Sequence, residues 1–383
     1  MAVNGPADSS PGPLTGVRVV DVSALAPGPF ATMILADFGA DVVAVERPGP
    51  DPFATRTWLG RGKRFVTVDL QSPDGPAVVT RLAEAADVFV EGYRPGTMER
   101  FGLGPEDLMP ANPRLVYARI TGWGQGGPYA GRAGHDINYI SIAGALGIIG
   151  REEPVPPANL VGDFASGSYL AVMGILMALY ERQFSGRGQV VDAAMVDGAV
   201  LLLTGQLGLA ASGGWGRRGT NLLDGSAPFY GTYVCADGRY VAVGAIEEPF
   251  WQALLDGLGL KDDDCFAGRD DPARWPEQRE RLAARFAERP RDDWVGLLGD
   301  RDACVTPVLE LDELGADEHL AARGSLLSRA GRTEASPAPR LSRTPGRAGG
   351  PAPPRNTSTD DVLATAGFRP AEIARLRRSG ALG

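Results

Sequence analysis

The chain has 383 residues, 44% of them hydrophobic and 22% charged, a composition that fits a folded globular protein with room for two domains. Its 38 basic and 47 acidic residues leave a net charge of -9, which argues against nucleic acid or an anionic membrane as partner of the whole surface. Cys235, Cys265 and Cys304 are far apart and show no CxxC spacing, so they suggest neither a disulfide framework nor a zinc site.

The N-terminal stretch has no basic region followed by an apolar one, and no uninterrupted apolar run reaches the roughly 18 residues of a membrane span. A cytoplasmic protein with reduced thiols is expected. Past a flexible first dozen residues, "GVRVVDVS" predicts a buried strand. "GPFATMILADFG" has helical spacing that stops at Gly39, and "ADVVAVE" and "RFVTVDL" predict two further strands. Ser72 is placed to cap the helix "PDGPAVVTRLAEA", and "DVFVEG" and "RLVYARITG" read as strands. Strands alternating with amphipathic helices predict a doubly wound α/β domain in the first half. No GxGxxG follows the first strand, which weakens a dinucleotide oxidoreductase reading.

Farther on, "FASGSYLAVMGILMALYE" predicts a long apolar helix, "QVVDAAM" a strand and "VDGAVLLLTGQLGLAA" another helix. Glycine-rich "SGGWGRRGTNLLDGSAP" then loses periodicity. "FYGTYVCADGRYVAVGAIE" predicts a hairpin turning at Ala236, Asp237 and Gly238, and three helical segments complete a smaller α+β domain. Residues 1–200 therefore read as a large domain, 201–225 as a linker, 226–320 as a small domain, and 321–383 as a segment returning to the large domain. Within the last, Ser336–Pro354 reads as extended and "PAEIARLRRSG" as a closing helix.

One of only two histidines, His135, precedes Asp136 at the head of "INYISIAGALGIIG". A histidine at a helix N-terminus is disfavoured as imidazolium and can accept a proton; the plain alternative is a residue that hydrogen-bonds locally. Asp163, between Gly162 and Gly167, fits a strand-to-helix turn where a carboxylate meets converging N–H groups, or an ordinary N-cap. Glu247, ending the second hairpin strand, suits either the orientation of an imidazole from another element or a solvated first turn. Arg47 and Arg94 follow predicted strands, where open α/β sheets bind ligands, and Lys63 lies in "RGKR". Each alone reads as surface charge, but together they suit phosphate groups.

The strings "GADVVAVERPG", "EGYRPG", "TGWGQGGPYA", "GHDINY", "NLVGDF", "SGRGQVVDAAMVDG" and "ADGRYVAVGAIE" together resemble the family III CoA-transferase superfamily, over about Val17 to Arg343. "GHDINY" resembles its α-methylacyl-CoA racemase branch. The resemblance implies acyl-CoA thioester substrates, coenzyme A arriving as part of the substrate with no further cofactor or metal, and an interlocked homodimer without nucleic acid or membrane partners. It implies that His135 and Asp163 are opposed acid/base groups acting on the two faces of the carbon alpha to the thioester, through an enolate. Glu247 of the other subunit would orient His135, with Arg47, Lys63 and Arg94 on the CoA phosphates and Asp136 and Tyr139 near the pantetheine and thioester. In the transferase branch the aspartate like Asp163 is instead a nucleophile, and a non-catalytic acyl-CoA-binding protein is the third reading. Where the family has a glycine-rich "GDFGGGS"-like string, this chain has Ala165 and Ser166, two Cβ atoms expected near the acyl group.

Overall fold

The β-branched runs of the first half form six parallel strands: β1 (Arg18–Asp21), β2 (Asp41–Glu46), β3 (Arg64–Thr67), β4 (Val88–Glu91), β5 (Val116–Thr121) and β6 (Val190–Ala194). In this computed structural model, which describes residues 11–51, 54–329 and 331–383, they lie side by side in the order β3-β2-β1-β4-β5-β6. Of the stretch expected to be flexible, residues 1–10 lie outside the described residues. The order reverses between β1 and β4, and such a switch point opens a crevice at the carboxyl ends of the strands.

Side chains alternate along each strand and feed two cores. Val20, Phe89 and Tyr117 pack with Val78, Val79 and Leu82 of helix Gly75–Glu84 and with Leu363 and Leu376 near the C-terminus. Val19, Val90 and Ile120 pack with Leu35 of helix Pro27–Asp37 and with Ala171, Ile175 and Ala178 of helix Leu170–Ser185 on the other face. The helix begins later than expected, with Asp74 rather than Ser72 at its N-cap position, although the Ser72 hydroxyl accepts the N–H of Gly75 at 3.1 Å.

Helix Leu170–Ser185 continues a wide π-helical segment, Leu160–Tyr169. The combined 26 residues, which contain an 18-residue window with a mean hydropathy of 1.5, are long and apolar enough to cross a membrane by length and composition. That differs from the expectation set by uninterrupted runs, because scattered glycines and serines lower hydropathy little. One face of this helix is taken up by the sheet. Along another face Met173, Leu176, Met177, Tyr180 and Phe184 are exposed, at the three- and four-residue intervals that make a single stripe.

The chain divides into two compact units, the first made of residues up to Ala143, Ala158–Leu202 and Gly324–Gly383, the second of Gly144–Pro157 and Leu203–Arg323. The boundary after Leu202 lies beside the expected one at residue 200. Residues 203–225, read as a linker, belong to the second unit instead, and so does Gly144–Pro157, which was assigned to the large domain. The physical reason is hydrogen bonding within that unit: Arg218 donates to the carbonyls of Gly147 and Glu152, at 2.9 and 3.1 Å.

The returning residues complete the first unit. Ser358 brackets β3, its hydroxyl accepting from the N–H of Phe65 and donating to the carbonyl of Phe65, at 3.1 and 2.7 Å. Leu382 forms a bridge to Val68. In the second unit, β7 (Tyr230–Val234), β8 (Tyr240–Gly244) and β9 (Val305–Pro307) form an antiparallel sheet. It is backed by Trp251, Leu254, Phe286 and Trp294, with the Trp294 indole donating to the carbonyl of Phe286 at 2.8 Å.

Candidate active site

At the carboxyl ends of β4 and β5 the first unit encloses a pocket of about 760 Å³ whose lining includes His135, Asp163, Arg94, Tyr139, Trp123 and Phe164. Asp163 does not sit at a strand-to-helix turn as expected. No strand precedes it, and it lies in the first turn of the π-helical segment Leu160–Tyr169, where the N–H of Phe164 reaches back five residues to the carbonyl of Asn159 at 3.4 Å. Wide turns of this kind gather at functional sites because the extra residue re-aims a side chain.

Asp136 fixes that turn. Its carboxylate accepts the backbone N–H of Asp163 at 2.7 Å, and only glycine fits at position 162, where a Cβ would lie 2.4 Å from the same carboxylate oxygen. Asp136 is buried, and its second oxygen has no hydrogen-bond partner among the described residues. Burial raises its pKa against the N–H groups of Asp163 and Gly162. The expectation that Asp136 faces the thioester is therefore corrected: it stands behind Asp163 and is absent from the pocket wall. The backbone N–H groups that converge at this turn are in part committed: that of Asp163 to Asp136, and that of Phe164, the first one after it, to the carbonyl of Asn159.

The Asp163 carboxyl is pushed up from the ordinary aspartate range, first by burial and further by neighbouring Asp136, against the Asn159 amide and His135. The Asn159 amide donates to it at 3.1 Å. His135 is exposed and occupies the N-cap position of helix Asp136–Ile142 in an extended conformation. It makes no side-chain cap; its N–H donates to Asn138 at 3.0 Å, which leaves the imidazole to the pocket. The Tyr139 ring packs edge-on against Trp123 and its hydroxyl donates to the carbonyl of Gly134, so it shapes the loop before His135.

Beneath the Gly92–Pro95 turn lies a buried ionic network that sequence reasoning missed. Glu91 accepts the N–H of Tyr93 at 2.7 Å and the guanidinium of Arg119 at 2.8 Å, and Arg119 also reaches Glu99 at 2.7 Å. Burial raises the pKa of Glu91, opposed by the Tyr93 N–H and Arg119. This network anchors the turn that carries Arg94. The alternation "VFVEG" signalled a strand, while the inward charge at its end carried no separate signal.

A second pocket of about 270 Å³ opens at the ends of β1 and β2 and shares Leu25, Thr55, Leu59 and Tyr93 with the first. Arg47 lines it and is exposed. Lys63 departs from its expected phosphate-binding role: it is buried, and its ammonium donates to Thr32 at 2.7 Å, to the carbonyl of Pro29 at 2.8 Å and to Asp21 at 3.4 Å. Burial lowers its pKa against the pull of Asp21. Lys63 pins the loop that follows β1 and has no donor directed to solvent.

Ala165 and Ser166 also depart from expectation. Neither lines the pocket, and Ser166 is buried against Gly198, where a Cβ would come within 2.6 Å of the Ser166 carbonyl oxygen. Glu247 belongs to the second unit, exposed at the N-cap of helix Glu248–Leu258, where its side chain makes no cap. Among the described residues no group of three or more His, Cys, Asp or Glu side chains is placed to hold a metal ion.

A family model described as CoA-transferase family III matches residues 14–359. The mouse protein named alpha-methylacyl-CoA racemase is 44% identical over 371 residues, covering 95% of this chain and 96% of the relative. Its human counterpart is 45% identical over 370 residues, with 95% and 96% covered. Among solved structures, a CAIB/BAIF family protein from Brucella suis aligns with a TM-score of 0.83 at 28% identity, covering 93% of this chain and all of that one.

Proposed function

The chain belongs to CoA-transferase family III, and from that premise we propose that it interconverts the (R) and (S) epimers of 2-methylacyl-CoA thioesters by moving one proton off and another onto the alpha carbon. The observation that carries this reading is the presence of His135 and Asp163 in the wall of one pocket, with the Asp163 carboxyl held above its ordinary range. A racemising site needs one group able to take a proton and another able to give one at the same pH. A neutral imidazole and a protonated carboxyl meet that requirement in one direction, and imidazolium and carboxylate meet it in the other.

The imidazole of His135 removes the alpha proton, the electron pair moves onto the thioester carbonyl oxygen, and the planar enolate takes a proton from Asp163 on its opposite face. A donor well placed on that oxygen is worth about 3–4 kcal/mol. CoA enters as part of the substrate, with Arg94 and Arg47 on its phosphate side, and no resident cofactor takes part. The stripe Met173, Leu176, Met177, Tyr180 and Phe184, with exposures from 40% to 75%, supports a homodimer, since apolar area of this kind marks an association surface. In that dimer Glu247 of one copy orients His135 of the other.

The test is incubation of one pure epimer of a 2-methylacyl-CoA in D₂O, with no acceptor acid. Deuterium at the alpha carbon together with approach to an epimer mixture is expected. Replacing either His135 or Asp163 should lower the rate by about 10²–10⁴-fold. No exchange, followed by CoA transfer once a free carboxylic acid is added, would make Asp163 a nucleophile and overturn the reading; binding without either reaction would leave a carrier.

A further inference from the structure

The second pocket holds an ionic lattice that spans more than 300 positions of sequence. Glu46, at the carboxyl end of β2, takes the guanidinium of Arg56 at 2.5 Å and that of Arg355 at 3.6 Å. Arg56 also donates to the carbonyl of Pro353, and Arg355 to the carbonyl of Gly49. Arg56 stacks on Phe65, 3.8 Å from the ring centroid. Three arginines, Arg47, Arg56 and Arg355, therefore face one pocket of about 270 Å³, while Lys63 spends its donors on Asp21, Thr32 and Pro29.

The three differ in freedom. Arg56 has 12% of its side chain exposed and is fixed by Glu46, by Pro353 and by the Phe65 ring. Arg355 is 34% exposed and sits at the long edge of the Glu46 contact, so part of its planar fork remains open to a ligand anion. In a doubly wound sheet this position, past the second strand and beside the switch point, is where the sugar and phosphate of a nucleotide come to rest.

We infer that Arg355, delivered by the returning C-terminal segment, is a phosphate ligand for the nucleotide end of the substrate, and that the Glu46–Arg56 pair holds the segment in place to present it. The ligand class is a phosphorylated adenosine carried on a thioester, so this inference rests on the acyl-CoA reading and adds a residue that the resemblance does not supply. The lattice gives the C-terminal segment a role in substrate affinity.

The experiment titrates the full-length protein with adenosine 3′,5′-bisphosphate by calorimetry, and in parallel measures KM for a 2-methylacyl-CoA and for the same acyl group on N-acetylcysteamine, which lacks the nucleotide. Arg355→Ala is expected to weaken bisphosphate binding and raise KM for the CoA ester by about tenfold, the scale of one charge-assisted contact. It should leave the short thioester unaffected, and Arg355→Lys should recover part of the loss. Ser358→Ala, which removes the hydroxyl that brackets β3 without touching the pocket, should leave bisphosphate affinity unchanged.

Equal affinity of wild type and Arg355→Ala for the bisphosphate overturns the inference, as does failure of the wild type to bind it. So does an Ser358→Ala loss as large as that of Arg355→Ala, because the arginine would then act only by tethering the segment. Because the titration needs no turnover, lost bisphosphate affinity in Arg355→Ala alongside absent proton exchange in the wild type would retain the inference while rejecting the racemase reading.

Discussion

Asp136 accepts the backbone N–H of Asp163 at 2.7 Å, so the residue beside the histidine in "GHD" sets the position of a carboxyl 27 places later. Asp136→Ala should lower kcat by about 10–100-fold with a smaller change in KM, because the acid/base group is displaced from a geometry that tolerates little error. Asp136→Asn keeps an acceptor for the Asp163 N–H and should retain more activity. It also removes a negative neighbour that raises the Asp163 pKa. The limb of the pH–rate profile that reports Asp163 should therefore move to lower pH, a shift that steady-state kinetics across pH would register and a purely structural defect would not.

Asp163 carries a stability cost with a definite pH signature. Its folded pKa lies above the ordinary value of 3.8, so between that value and the folded pKa the native state binds more protons than the unfolded chain. Stability contributed by this group is then present below about pH 4 and lost as pH rises through the folded pKa. Asp163→Asn should melt higher than wild type at pH 7 and lose that advantage near pH 4, while its exchange activity falls. Thermal scans of the ligand-free protein at the two pH values check the sign, and a lower melting temperature at pH 7 would count against it.

Lys63 distinguishes a structural role from a ligand role. With Thr32, Asp21 and the carbonyl of Pro29 as its partners, Lys63→Ala leaves a buried carboxylate without its cation, at a cost of about 3–5 kcal/mol. A large drop in the urea midpoint is expected. An unchanged midpoint combined with a raised KM would restore the phosphate-binding assignment.

The apolar stripe on helix Leu170–Ser185 can be tested with charge. Met177→Glu with Tyr180→Glu places two carboxylates on residues that are 61% and 65% exposed, where a monomer would accept them with little change in stability. Sedimentation should show the wild type at twice the mass of the double variant. Equal masses would remove the stripe from the association surface.

Six strands of the first unit were legible because β-branched runs between turn residues leave few other options, as in "GVRVVDVS" and "ADVVAVE". The strands Leu326–Arg329 and Arg332–Ala335 were not, since "LLSR" and "RTEA" show no apolar alternation. The π-helical turn was mistaken for a strand end because "NLVGDF" places apolar residues before a glycine in either case. His135 and Asp163 were found by residue type and do line one pocket. The commitments of Lys63 and Asp136 were not legible, because whether a charge meets solvent or a buried partner depends on elements far away in the chain. The same holds for Gly144–Pro157, whose membership of the second unit is decided by Arg218.

The first unit is written in three pieces, and its last piece, Gly324–Gly383, follows the second unit. A ribosome therefore releases β1 to β6 long before it releases Ser358 to bracket β3 or Leu382 to cover Val68. Throughout the synthesis of Leu203–Arg323 one flank of the sheet waits with apolar side chains that only the late helices will cover, and unpaired, uncovered strands at such a stage invite aggregation. A chain arrested anywhere before residue 358 would thus be defective in the early unit as well as the late one.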